Sequence, residues 1–231
     1  MALPRHIAII PDGNRRWARE KGFLPWDGHR EGMKRYREIA DAIFQREIPY
    51  FTFWAASEDN LTKRTPAEVQ VLASLFKEEA AYALNSERYE KQQIRFRIFG
   101  KGREILGDTE IGERIDALEE KTRGYTARHQ TILFGYDGRR EMLEAVGRLA
   151  LALPEEVDSD TLHSCLWTRD LPPVDFVIRT GGEPHWSSGF MMWHTANSQL
   201  YFTETFWPAF DEVALEKALA EYAQRERRFG T

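Results

Sequence analysis

The chain has 231 residues, 42% of them hydrophobic, and a formal net charge of −5; such a length buries one substantial core and predicts a single domain over residues 1–231. The acidic balance argues against general nucleic-acid binding, and the lone cysteine, Cys165, excludes an internal disulfide framework and a cysteine-based zinc site. Neither a basic-then-apolar leader nor a run of about 20 apolar residues occurs, so the chain is expected in the cytoplasm, with peripheral contact at a membrane surface left open.

Residues 6–10 are a short apolar run of strand type that leads into Pro11-Asp12-Gly13-Asn14-Arg15-Arg16-Trp17, after which a helical pattern begins. In open α/β sheets ligands collect at the carboxyl ends of strands, and the free N–H groups that open the next helix favour phosphate. Asp12 repels an anion placed there unless a divalent cation lies between them, so the segment suggests a diphosphate with Mg²⁺. Further strands are predicted over 50–55, 94–99, 131–134, 175–179 and 199–203. Apolar residues recur at helical spacing over 31–46, 67–89, 110–122, 138–153 and 212–227. This alternation predicts an α/β fold: an open, mostly parallel sheet of about six strands with helices on both faces. In the 67–89 helix, Val69, Leu72, Leu75, Phe76, Ala80 and Ala83 form one stripe. That stripe fits a core-facing side, and part of it fits the wall of an apolar channel.

Four segments fall at predicted strand ends: residues 12–17 continued by Gly28-His29, residues 55–60, residues 179–183, and the tail 227–230. Each alone has a local explanation. Asp12-Gly13 can be a turn, Ser57 and Asn60 can be helix caps, Gly181-Gly182 a tight loop, and the tail arginines a solvated helix end. Basic residues nonetheless cluster at Arg15/Arg16 and Arg225/Arg227/Arg228, which suits a compact anion better than a polymer.

Taken together and in order, HIAIIPDGNRRWAREKG, GHREG, SEDN, GYDGRREMLEAV, VDFVIRTGGE, LYFTETFWPAFDE and RERRFG resemble the cis-prenyltransferases, or undecaprenyl diphosphate synthase-like proteins, over the whole chain. The resemblance implies a homodimer of open α/β subunits, each with an apolar tunnel. Its expected reaction joins an allylic diphosphate such as farnesyl diphosphate to isopentenyl diphosphate, with Mg²⁺, giving a longer Z-polyprenyl diphosphate. It implies a catalytic group of Asp12, which engages the metal and assists departure of the allylic diphosphate, Asn14, and Ser57 and Asn60 near the reacting carbons. Gly13, Asn14 and Arg16 would hold the allylic diphosphate, with Arg15 and Trp17 beside them and His29 near the same phosphates. Arg179 and Ser187, or Ser188 in a shifted alignment, would hold isopentenyl diphosphate. Arg228 and Gly230, in the terminal R-x-G, would reach the partner subunit's site.

The chain departs from the family pattern at several positions. His185 stands where an arginine is usual, and Gln199 where a glutamate that commonly serves as a metal ligand precedes the LYFT segment. Pro25 replaces an arginine. Leu61 and Lys63 replace a tryptophan and an arginine, with Arg64 one position on. These changes motivate two alternatives: a short-product, branching or cyclising synthase on the same fold, and a non-catalytic prenyl diphosphate-binding or regulatory subunit. Neither G-x-G-x-x-G nor G-x-x-x-x-G-K-[ST] is present, which speaks against a generic nucleotide-binding domain.

Overall fold

A strand covered on both faces favours apolar residues, and Ile7-Ala-Ile-Ile10 meets that demand; with the polar His6 ahead of them, all five residues are buried. In this computed structural model, which describes residues 2–154 and 156–225, they form β1 (His6–Ile10). The other strands are β2 (Tyr50–Ser57), β3 (Ile94–Phe99), β4 (Arg128–Tyr136), β5 (Phe176–Arg179) and β6 (Gln199–Phe202). The helices are α1 (Asn14–Glu20), α2 (Pro25–Gln45), α3 (Glu58–Thr62), α4 (Pro66–Asn85), α5 (Arg88–Lys91), α6 (Gly102–Leu106), α7 (Thr109–Thr122), α8 (Gly138–Ala152), α9 (Ser159–Ser164) and α10 (Glu212–Gln224).

All six predicted strands form, and the sheet is wholly parallel in the order β3-β4-β2-β1-β5-β6. The predicted helix over 31–46 starts earlier, at Pro25, because proline is favoured in a first turn and the Asp27 carboxylate accepts the Leu24 N–H at 3.1 Å. The predicted 67–89 helix breaks at Ser86, so α4 and α5 are separate. Helices α1, α3, α6 and α9 are too short to print an apolar period.

One face of the sheet carries Ile7, Ile9, Phe51, Phe53, Phe176 and Ile178 against Ile39 and Ile43 of α2, Ile115 and Leu118 of α7, and Leu215 and Leu219 of α10. The other carries Ala8, Ile10, Trp54, Leu133 and Val177 against Leu171, Phe190 and Met191. From β1 the chain crosses the first face through α1 and α2; from neighbouring β5 it crosses the second face through Phe190 and Met191 to β6. Ile10 pairs with Arg179, so the two chains diverge from the same level. Divergence at the carboxyl ends of adjacent strands opens a crevice, the place where ligands bind in open α/β sheets.

Gly28 brings α2 against α1. A Cβ on it would lie 2.0 Å from the Asn14 carbonyl oxygen, a backbone atom that cannot rotate away. Gly28→Ala is expected to destabilise the protein by about 2 kcal/mol, within the range for overpacking, and to disturb the start of α1; thermal unfolding of the variant measures the first effect.

The core also holds two histidines that are neutral at pH 7. His6 donates from Nδ1 to the Pro172 carbonyl at 3.0 Å and accepts at Nε2 from Thr52 at 2.8 Å; burial lowers its pKa to about 4. His194 meets the Thr168 hydroxyl at 2.8 Å, and burial followed by His6 lowers its pKa to about 3. The Thr168 hydroxyl donates to Glu141 at 2.7 Å, and Tyr136 donates to the same carboxylate. Both folded pKa values lie below the ordinary 6.5, so the unfolded chain takes up more protons as pH falls from 6.5 toward 4. Stability is expected to drop over that window, by on the order of 3 kcal/mol between pH 7 and pH 5. Urea midpoints at the two pH values measure the drop, and a flat profile would contradict the buried neutral pair.

Candidate active site

The crevice is built around the turn after β1. Asp12 is held to the start of the β5 loop on both sides of its peptide: its N–H donates to Thr180 Oγ1 at 2.9 Å, and that hydroxyl donates back to the Asp12 carbonyl at 2.8 Å. Gly13 follows at φ 100°, a conformation that favours glycine, and its Cα lies under the Phe206 ring, where a Cβ would come within 2.5 Å of a ring carbon. Asn14 Nδ2 donates to the Pro11 carbonyl at 3.2 Å and α1 begins there, with no side chain capping its N-terminus.

Four charged groups meet at this turn. Arg179, with 4% of its side chain exposed, donates from Nη2 to Asp12 Oδ2 at 3.0 Å and from Nη1 to Ser187 Oγ at 2.8 Å and the His185 carbonyl at 3.1 Å. Arg16 lies 3.2 Å from Asp12 Oδ1 and 3.4 Å from Glu183, which also stands 3.6 Å from Arg179. Two guanidiniums and two carboxylates therefore interleave, with Asp12 still one-third exposed to the crevice. A second cationic group faces it. Arg64 Nη1 lies 3.5 Å from His29 Nε2, and burial, then Arg64 and Arg15, lower the His29 pKa to about 4. Arg15 pairs with Glu68 at 3.3 Å, while Glu68 also closes the capping box of α4 with Thr65. Lys63 turns away to Asp59, so Arg64 supplies the positive charge on this side.

These groups rim a cavity of about 660 Å³ whose inner wall is apolar: Met33 of α2, Phe53 and Ala55 of β2, Leu72, Leu75 and Phe76 of α4, and Phe134 of β4. Phe76 and Phe134 stack at 4.0 Å. The register of β2 on β4 slips between Trp54 and Ala56, a bulge that brings two consecutive alanines, Ala55 and Ala56, to the first core. A second, smaller space of about 20 Å³ shares Met33, Phe53, Ala55 and Phe76 with the cavity and is also lined by Tyr36, Glu79, Ala80 and Tyr89. Glu79 is held there by Arg37 at 2.6 Å, and burial raises its pKa.

Of the residues expected at the site, Asp12, Gly13, Asn14, Arg15, Arg16, His29, Ser57, Asn60, Arg179, Ser187 and Ser188 line this one cavity. Ser57 and Asn60 do so while forming a reciprocal cap: Ser57 Oγ accepts the Asn60 N–H at 3.0 Å and Asn60 Oδ1 accepts the Ser57 N–H at 3.3 Å. Trp17 does not line it; its ring packs 5.9 Å from Phe23. His185 does not line it; its side chain is exposed to solvent, with Nε2 3.0 Å from Ser187 Oγ. Gln199, whose amide stands where the family pattern has a metal-ligating glutamate, does not line the cavity either. It opens β6 opposite Phe176, about 10 Å along the strand from the level of Arg179, and its buried Oε1 has no partner. Arg228 and Gly230 lie outside the described residues. Sequence reasoning missed Thr180 and Arg19: a threonine beside Arg179 signals nothing until the β1–β5 pairing is known, and Arg19 reaches the cavity only because it is one helical turn beyond Arg15.

Residues 10–230 match a family model described as "Putative undecaprenyl diphosphate synthase". The chain is 38% identical to an isoprenyl transferase of Thermus thermophilus, covering 99% of this chain and 89% of that one. It is also 38% identical to a ditrans,polycis-undecaprenyl-diphosphate synthase ((2E,6E)-farnesyl-diphosphate specific) of Escherichia coli, covering 98% and 89%. Among solved structures, lavandulyl diphosphate synthase of Lavandula x intermedia, in complex with dimethylallyl diphosphate, superposes with a TM-score of 0.92 at 29% identity over 99% of both chains. A cluster of arginines around one aspartate, opening onto an apolar chamber at the switch point of a parallel sheet, thus coincides with a whole-length match, and the chain belongs to the undecaprenyl diphosphate synthase family of prenyltransferases.

Proposed function

We propose that the chain joins farnesyl diphosphate, or a similar allylic diphosphate, to isopentenyl diphosphate and so lengthens a Z-polyprenyl chain. The observation that carries this reading is the split character of the cavity, with Arg16, Arg64 and Arg179 at its mouth and Phe53, Leu72, Leu75, Phe76 and Phe134 inside. Such a space takes a molecule with an anionic head and a hydrocarbon tail.

On this reading Arg16, with the backbone of Gly13 and Asn14, holds the allylic diphosphate, and the apolar wall holds its chain. Arg179 and Ser187 hold the second diphosphate. Ionisation of the allylic substrate develops negative charge on the leaving group, and guanidiniums already fixed by ion pairs stabilise that charge without reorganising. The fixed separation of the two head groups orients the isopentenyl double bond toward the allylic carbon, which favours a single product geometry. Ser57 and Asn60, held by their reciprocal cap, offer polar groups beside the carbon that loses a proton.

The donor set fits a magnesium ion that arrives with its phosphates. Asp12 offers a carboxylate open to the cavity, while no group of three or more metal-ligating side chains occurs among the described residues, so phosphate oxygens and water must supply the rest of the shell. When bound, the ion supplies charge neutralisation at the diphosphate.

The proposal includes a homodimer, with Arg228 and Gly230 reaching the partner's site. Leu143, Val146 and Leu151 of α8 are 74%, 52% and 86% exposed, a strip of apolar surface that pairing would cover. A cytoplasmic setting suits the unpaired Cys165, and no helix among the described residues is long and apolar enough to cross a membrane.

Incubation of labelled isopentenyl diphosphate with dimethylallyl, geranyl and farnesyl diphosphates is expected to give magnesium-dependent cis-elongated products; binding without turnover would overturn the reading. Asp12→Ala is expected to lower turnover by about 10²-fold or more, measured as kcat at saturating substrates. Sedimentation equilibrium is expected to return twice the 27.0 kDa chain mass.

A further inference from the structure

The connection between α1 and α2 places four apolar residues in a row on the surface. Phe23 is 53%, Leu24 53% and Trp26 37% exposed, and Pro25 between them is exposed as well. The protrusion is built into the backbone. Gly22 turns at φ 72°, the Phe23 N–H is tied to the Ala18 carbonyl at 2.8 Å, and the Leu24 N–H is tied to Asp27 at 3.1 Å. These side chains are therefore presented to solvent by a defined turn.

Charge around the turn opposes that of the whole. Between residues 15 and 30 there are five cations and two carboxylates, in a chain of net charge −5. Arg19, Lys21 and Arg30 are exposed beside the aromatic tip. The tip also adjoins the mouth of the cavity, which Arg19 lines on one side and His29 on the other. Aromatic and aliphatic side chains ringed by cations make a surface suited to the boundary between lipid head groups and acyl chains, with the cations drawn to anionic lipid. A second copy of this chain suits it less well, because a two-fold contact would set the same cations against each other.

We propose that this tip docks the protein on a bilayer containing anionic lipid, with Phe23, Leu24 and Trp26 entering the interface and Lys21 and Arg30 meeting the head groups. Only the identity of what is handed to the membrane, a polyprenyl diphosphate, rests on the function proposed above. Docking beside the mouth lets that product pass from cavity to bilayer with little exposure of its hydrocarbon to water.

The test is co-sedimentation of the full chain with vesicles of equal parts phosphatidylglycerol and phosphatidylcholine, and with phosphatidylcholine alone. Binding is expected to the first and to be weaker to the second. Phe23→Ser/Trp26→Ser should weaken partitioning by about ten-fold or more, and Lys21→Glu/Arg30→Glu should remove the preference for anionic lipid. Turnover of soluble short substrates and circular dichroism should stay unchanged in both variants. Vesicle binding unaltered by either pair of substitutions overturns the docking proposal while leaving the prenyl-transfer reading standing. A shift to lower mass in the Phe23/Trp26 variant overturns it too, because the tip would then be a contact between subunits. Vesicle binding by a chain without turnover supports docking while the reaction reading fails.

Discussion

A guanidinium removed from water has to be met by opposite charge and by hydrogen-bond acceptors, and Arg179 at the end of β5 imposes that demand on everything near it. Its partners come from the turn after β1 (Asp12) and from its own following loop (Glu183, the His185 carbonyl and Ser187). Meeting its two terminal nitrogens draws two strand ends together and fixes the rotamer of Asp12, while the buried Nε has no hydrogen-bond partner among the described residues. Thr180 then locks the Asp12 peptide from both sides. The mouth of the cavity is ordered because a buried charge at its base permits few arrangements.

The apolar compartment follows from a different constraint. Its wall uses strands β2 and β4 and helix α4, whose apolar faces are needed for the core in any case. What makes it a space is the local shortage of side-chain volume. The β2 bulge brings forward two alanines where alternation alone would bring one, and the stacked pair Phe76 and Phe134 completes the lining. The charged rim thus depends on polar geometry at strand ends, and the apolar space on omitted volume in the sheet layer.

Most of the architecture was legible in the sequence because strands buried on both faces print unbroken apolar runs and the long helices print a period. The turn after β1 was legible for a similar reason: aspartate, glycine, asparagine and two arginines directly after such a run have few structural uses in common. Thr180 was not legible, since its role exists only through the pairing of β1 with β5. The place of Gln199 was not legible either: only the parallel register shows that it stands at the start of β6, opposite Phe176 and away from the level of Arg179. Ser57 and Asn60 suit both a cap and a site by residue type; they form the reciprocal cap and line the cavity as well.

Glu68 has one further implication. It is at once the closing member of the α4 cap and the counter-ion of Arg15, and α4 carries three of the apolar walls of the chamber. The first turn of α4 is therefore tied to α1 through the same carboxylate that caps it. The charged rim and the apolar wall thus share one carboxylate, and a change at either is felt by the other.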